Sequence, residues 1–428
     1  MKKFFSIFGL ALACCALWGA GVFAALDRGW GHSAIAAPGD DRGFAQAARQ
    51  IAERESAGNV SFVLLEAGAP VESFHLSKGE PVDERTVFQV ASLGKWITAW
   101  GVMALVEEGR IDLDAPVSTY LTRWQLPASE FDSSGVTVRR LLSHTAGLTD
   151  GLGYDGFDTA QDRQTLEASL TQAMDVSPDK DGRTILGSEP GAGWQYSGGG
   201  YTLLQLVVEE VSGEAFPAFM QRRLFAPLGM ERSTFDHAAA QEMGLAQNFG
   251  PDGTTEAFGW YTALAASSLF TTSEDLANFI AVQAPGRSNP VLTAETMALV
   301  ATPHASDMGA DIWGLGAMLY APNNSGGFII GHDGSNEPAI NTAARFDPAT
   351  GDGIVVLSTG NPALATEIAG QWVFWKTGNV DALTFVSRLP TALTVFAAGA
   401  LVILIVVALA ILRRRRSATP AKQGYPQQ

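Results

Sequence analysis

The segment TALTVFAAGALVILIVVALAIL, residues 391–412, runs for 22 residues without a charge and is followed at once by Arg413 to Arg416. A helix of that length crosses an apolar layer of roughly 30 Å, and the four arginines predict that the basic tail 413–428 stays cytoplasmic. Pro390 marks the expected start of this transmembrane helix. The other end, MKKFFSIFGLALACCALWGAGVFAAL, is a basic cap followed by an apolar run longer than a signal-peptide core of roughly 7–15 residues. Two readings fit residues 1–26: a signal peptide cut near Val22-Phe23-Ala24, or a retained N-terminal anchor. Under either, the basic ends favour the cytoplasm and the body between them lies on the non-cytoplasmic, periplasmic or extracellular, side of the cell membrane.

Charge narrows the partners of that body. The two end segments carry seven basic and no acidic residues, which leaves 21 basic against 44 acidic side chains between them. A surface of that sign repels nucleic acid, so no nucleic-acid partner is expected. Both cysteines, Cys14 and Cys15, fall in the first apolar segment, so the body has neither a disulfide nor a thiolate metal site.

Residues 27–43 read as a linker, and 44–388 as one domain. The stretch GFAQAARQIAERESA has helical spacing, and NVSFVLLEAG and VESFHLSKG form a predicted hairpin turning at Ala69-Pro70. Further helices are predicted at 92–108, 163–175, 201–212 and 273–283. Near the far end, IWGLGAMLY, GGFIIGH, AINTAARFD and GIVVLST read as strands before a last helix in PALATEIAGQWVFW. Strands at both ends and helices between them predict an α/β fold, with one sheet assembled from the two ends of the domain and a helical region inserted.

Three clusters carry chemistry. The first is VFQVASLGKWITAWGVMALVEEG, where Lys95 is the one lysine of seven inside an apolar helical run and follows Ser92 by three residues. An ammonium among Trp96, Ile97, Val102 and Leu105 is costly unless it finds a partner or gives up its proton. One helical turn places Lys95 on the face of Ser92, and a neutral amine there takes the serine proton; the plain alternative is that Ser92 only caps the helix. A second S-x-x-K, Ser177 to Lys180 in DVSPDKDG, has charged neighbours and no apolar helix after it, and reads as a solvated loop. The second cluster is GAGWQYSGGGYTLLQLVVEEV, where Tyr196 is either a core-edge aromatic or a proton shuttle. The third is GGFIIGHDGSNEPAINTAARFD. Gly331 and Gly334 suggest an edge strand with free N–H groups for an oxyanion, and His332 taken alone is more often a structural histidine.

In order and spacing these clusters resemble the serine β-lactamase and penicillin-binding-protein superfamily, in the branch of class C β-lactamases, family VIII esterases, D-aminopeptidases and D-alanyl-D-alanine carboxypeptidases. The stretches LLSHTAGL (141–148), PLGM (227–230) and SSLFTTSEDLANF (267–279) agree. The resemblance implies that Ser92 is the acylated nucleophile, Lys95 its activating partner and Tyr196 a proton relay. It places His332-Asp333-Gly334 where relatives have Lys-Thr-Gly, and gives the oxyanion hole to the N–H groups of Ser92 and Ser335. The implied fold is a mainly antiparallel sheet with flanking helices plus an all-helical region, with the site between them. One departure stands out: relatives carry asparagine at the third place of Tyr-x-Asn, and this chain has Gly198. Together with histidine in place of lysine, it points to an ester or D-amino-acid peptide, peptidoglycan-derived peptides included, rather than a β-lactam.

Other hydrolase classes lack their signatures. There is no G-x-S-x-G, no H-E-x-x-H and no G-x-x-x-x-G-K-[ST], and the six histidines show no metal-ligand spacing. No cofactor and no metal are implied. A catalytically silent binding or sensor protein of the cell envelope, on the same scaffold, is the competing reading.

Overall fold

The computed structural model describes residues 2–149 and 153–417. These form two units, residues 34–382 and the pair of end segments up to 33 and from 383 onward.

The larger unit is built on an eight-stranded antiparallel sheet. In chain order its strands are β1 (Val60–Glu66), β2 (Ala69–Leu76), β3 (Ala305–Asp307), β4 (Ala310–Trp313), β5 (Met318–Pro322), β6 (Phe328–Asn336), β7 (Ile340–Phe346) and β8 (Gly353–Ser358). Across the sheet the order is β2-β1-β8-β7-β6-β5-β4-β3, so the strands before and after the helical insertion meet where β1 pairs with β8. That is the arrangement expected from the sequence. β1 is apolar almost throughout because it lies between two strands and is covered on both faces; edge strand β2 is mostly exposed. The β1–β2 hairpin turns at Ala67-Gly68, both with positive φ (47° and 74°), and not at Ala69-Pro70, which belong to β2. The primed turn fits the strand twist, and glycine supplies its second position without strain.

Helices α1 (Asp41–Glu55), α2 (Gly94–Glu107), α3 (Gly198–Ser212), α4 (Ser273–Ala281) and α5 (Leu364–Thr377) matter for the site. α1 starts at the Asp40 cap, whose side chain accepts from Gly43 N–H, and buries Phe44, Ala45, Ala48 and Ala52. It packs with α5, Phe44 stacking on Trp375 at 4.8 Å. α2 is buried on every side from Gly94 to Leu105, its Trp96 and Trp100 both meeting Phe279 of α4 edge-on at 4.8 Å. A helix apolar all round belongs in the middle of a core. The helix expected over 163–175 is confined to Leu166–Thr171, and α3 begins three residues before the expected start, at Gly198.

The smaller unit holds two helices long and apolar enough to cross a membrane, over Gly9–Asp27 and Ala382–Arg413. The second runs on to Ser417 with Pro390 inside it, which corrects the expected start at Pro390. Proline forfeits a single backbone bond and its φ is compatible with helix, so the residues before it, from Ala382 on, carry the helix through it. Of the expected tail, residues 418–428 lie outside the described residues.

Candidate active site

The turn that carries Ser92 starts from strain. Ala91 has φ of 50°, a left-handed conformation that costs a non-glycine residue energy, and it heads a short 3₁₀ turn Ala91–Leu93 that runs directly into α2. Ser92 therefore stands at the helix N-terminus, where backbone N–H groups favour negative charge. Lys95, one turn on, is 2% exposed. Its Nζ donates to Ser92 Oγ at 2.9 Å and to the carbonyl of Ala266 at 2.6 Å. With the proton removed, the Ser92 contact reverses, and Oγ–H donates to the amine lone pair. The Nζ also lies 5.0 Å from the ring centre of Tyr196.

Burial raises the pKa of the Tyr196 hydroxyl, the neighbouring Ser92 hydroxyl works the other way, and the Asp333 charge adds to the rise, so it stays a neutral phenol able to donate. The ring is held from behind by His144, stacked on it at 4.3 Å with 24° between planes. His144 has φ of 57°, and its Nδ1 accepts from Ser197 N–H at 3.1 Å. Burial first, then the nearby Lys95 and His332, hold this imidazole neutral. His144 lies inside LLSHTAGL, a stretch that supports the family resemblance but gave the histidine no role in the sequence. Its contact with Tyr196 spans a tertiary distance that no local spacing encodes.

The third cluster closes the site. β6 is not an edge strand over its whole length, which corrects the expectation: β5 pairs with Phe328 to Gly331. Among the described residues, His332 to Asn336 pair with β7 alone, so the free edge expected from the motif exists in the second half of the strand. The cause is the length of β5, which leaves the sheet first. Gly331 and Gly334 are close-approach positions. A Cβ at Gly331 would lie 2.0 Å from the Ala344 carbonyl oxygen, and one at Gly334 2.0 Å from that of Val90 and 3.0 Å from Leu93 N. Thr342 Oγ1 also donates to the Val90 carbonyl, at 2.8 Å. The Gly334 and Thr342 contacts press β6 and β7 onto the turn that carries Ser92, at Val90 and Leu93. His332 donates from Nδ1 to its neighbour's carbonyl, that of Asp333, at 2.6 Å. Burial and the Lys95 charge lower its pKa to about 3, so the group standing where relatives have lysine is neutral.

Gly198 has a steric reason. A Cβ there would meet the Tyr154 ring at 2.8 Å, and that ring is fixed by a 3.0 Å hydrogen bond between its hydroxyl and Thr202 Oγ1. An asparagine side chain has no room unless Tyr154 moves. The second S-x-x-K is elsewhere: Ser177 Oγ donates to Asp155 at 2.5 Å and Lys180 is exposed.

The β-lactamase family model matches residues 44–372, and the chain belongs to that family. It is 28% identical over 305 residues to penicillin-binding protein 4 of Amycolatopsis lactamdurans, covering 68% of this chain and 76% of the relative. To esterase EstB of Burkholderia gladioli it is 32% identical over 179 residues, covering 40% of this chain and 44% of that one. A penicillin-binding protein of Bacillus subtilis strain 168 is 31% identical over 163 residues, only 32% of its length and 37% of this chain. Among solved structures, the octameric penicillin-binding protein homologue from Pyrococcus abyssi superposes with a TM-score of 0.65 at 24% identity, covering 78% of this chain and 76% of that one. The D-amino acid amidase of Ochrobactrum anthropi SV3 gives 0.61 at 22% identity, covering 77% of this chain and 98% of that one. These two likenesses establish the fold.

Proposed function

We propose that the protein is a serine hydrolase that cleaves an ester or amide, a carboxylester or a D-amino-acid peptide, through an acyl-enzyme on Ser92. The observation that carries this is the 2.9 Å contact between Lys95 Nζ and Ser92 Oγ in a buried setting. Lys95 takes the Oγ proton as the oxygen attacks the substrate carbonyl. The N–H groups of Ser92 and Ser335 receive the developing oxyanion, and Tyr196 passes a proton to the leaving group; water then releases the acyl group along the same relay in reverse. Neutral His332 offers no cation to a substrate carboxylate, and the Tyr154 ring occupies the place of an amide at position 198. Both favour esters and D-amino-acid peptides over β-lactams, and the names of EstB and the D-amino acid amidase lie in the same direction.

The two long apolar helices support a membrane tether, with the domain 44–388 on the non-cytoplasmic face and the basic residues at either end in the cytoplasm. The test is exposure of the full chain to a fluorophosphonate probe, read by intact mass and peptide mapping. A single adduct on Ser92, absent in Lys95→Ala, is the expected result. Folded protein that takes up no probe overturns the proposal in favour of a silent binding protein.

A further inference from the structure

Asp333, the middle residue of the third cluster, enters the chemistry above only through its charge near Tyr196. Side chains alternate along a strand, so it points away from the face that carries His332 and Gly334. On that other face its carboxylate accepts from Tyr320 Oη at 2.6 Å (β5), Thr366 Oγ1 at 2.5 Å (α5) and the guanidinium of Arg345 (β7). Arg345 is fully buried, lies 3.4 Å over the Tyr320 ring, and donates from Nε to Asp381 at 3.0 Å. Asp381 itself is 1% exposed. Thr366 ties in the next strand as well, accepting from Asn341 Nδ2 at 3.1 Å.

Two carboxylates on one buried guanidinium are an expensive way to hold a sheet together, since well-packed apolar groups usually do as well. What distinguishes this place is the strand it serves. From His332 to Asn336 β6 lacks a ladder on one side, and that is the segment whose backbone must sit at a fixed height above Ser92. Every group contacting Asp333 comes from a different element, and Arg345 carries the last link to Asp381.

We propose that Asp381 is a positioning residue for the active site. Through Arg345 it holds Asp333, and so fixes the height of the half-free strand that presents Ser335. The catalytic half of this inference rests on the hydrolase reading; the positional half does not. The experiment uses the full chain in detergent, comparing wild type with Asp381→Asn, Asp381→Glu and Thr366→Val. Amide exchange of the peptide covering His332–Asn336 should quicken on the order of tenfold in Asp381→Asn while β1 and β8 stay protected, and Asp381→Glu should restore it. Turnover of p-nitrophenyl butyrate should fall by about tenfold in kcat with KM unchanged, because misplacing an oxyanion donor costs transition-state and not ground-state binding. Thr366→Val, a milder cut to the same carboxylate, should move both readouts in the same direction, and it carries the test if Asp381→Asn does not fold. Exchange at His332–Asn336 that is unchanged, or that rises equally across the sheet, overturns the proposal. A wild type that leaves the ester intact counts against the hydrolase reading alone, and the exchange measurement still decides the role of Asp381.

Discussion

The chain spells S-x-x-K twice, and the two copies have opposite fates. Ser92 and Lys95 share one face of a buried helix entrance, with 2.9 Å between Nζ and Oγ. Ser177 and Lys180 sit on a surface turn closed by the Lys180 N–H to Ser177 carbonyl bond at 3.2 Å; there the hydroxyl serves Asp155 and the ammonium faces water. The difference lies in what surrounds the four letters. At the first copy desolvation makes the lysine depend on its partners, and the helix N-terminus rewards charge on the serine oxygen. At the second, water solvates both groups and neither gains from the other. Burial is also handled differently. Buried Lys95 has acceptors on two elements, whereas Asp175, two residues before Ser177, is 5% exposed and its carboxylate oxygens have no side-chain hydrogen-bond partner among the described residues.

The largest expected effect breaks the symmetry of the two copies outright. Ser92→Ala should cut ester turnover by at least about 10³-fold, and Lys95→Ala by about 10²–10⁴-fold, while Ser177→Ala and Lys180→Ala leave kcat/KM unchanged. Steady-state kinetics on the four variants, with circular dichroism to confirm folding, checks this; equal losses at both copies would refute the contrast. Next in size is Asp175. Burial first, then the charge of Asp155, raises its pKa to about 6, above its unfolded value. Such a group contributes stability below the unfolded pKa and loses it as pH rises through about 6. Asp175→Asn should therefore stabilise the fold by roughly 2–3 kcal/mol at pH 8 and by almost nothing at pH 4, as read from denaturant midpoints at the two values. Smallest is the Gly198 contact. Gly198→Asn should cost about 1–2 kcal/mol through its clash with Tyr154, and Tyr154→Gly in the same chain should recover most of that in a double-mutant cycle.

The same contrast marks how far the sequence could be read. Ser92, Lys95 and Tyr196 were legible because each sits in a local pattern: a lysine out of place in an apolar helix, and a tyrosine before three glycines. The sheet joining both ends of the domain was legible from strand periodicity at those ends. What was hidden are pairings between distant segments. His144 behind Tyr196, Tyr154 over Gly198, and Arg345 between Asp333 and Asp381 are each fixed by how elements pack, and the residues themselves look ordinary in their own stretches. The half-free edge of β6 was partly legible, since its glycines signal close approach; where the edge begins depends on where β5 stops.

The meeting of β1 with β8 also sets a schedule for the growing chain. Ser92 and Lys95 are synthesised early, yet the Gly334 and Thr342 contacts that seat their turn come from strands made after the whole helical region. Pairings so distant along the chain form slowly. If Ser92 is the nucleophile proposed above, the strand that would supply its second oxyanion donor, at Ser335, is made only after the whole helical region.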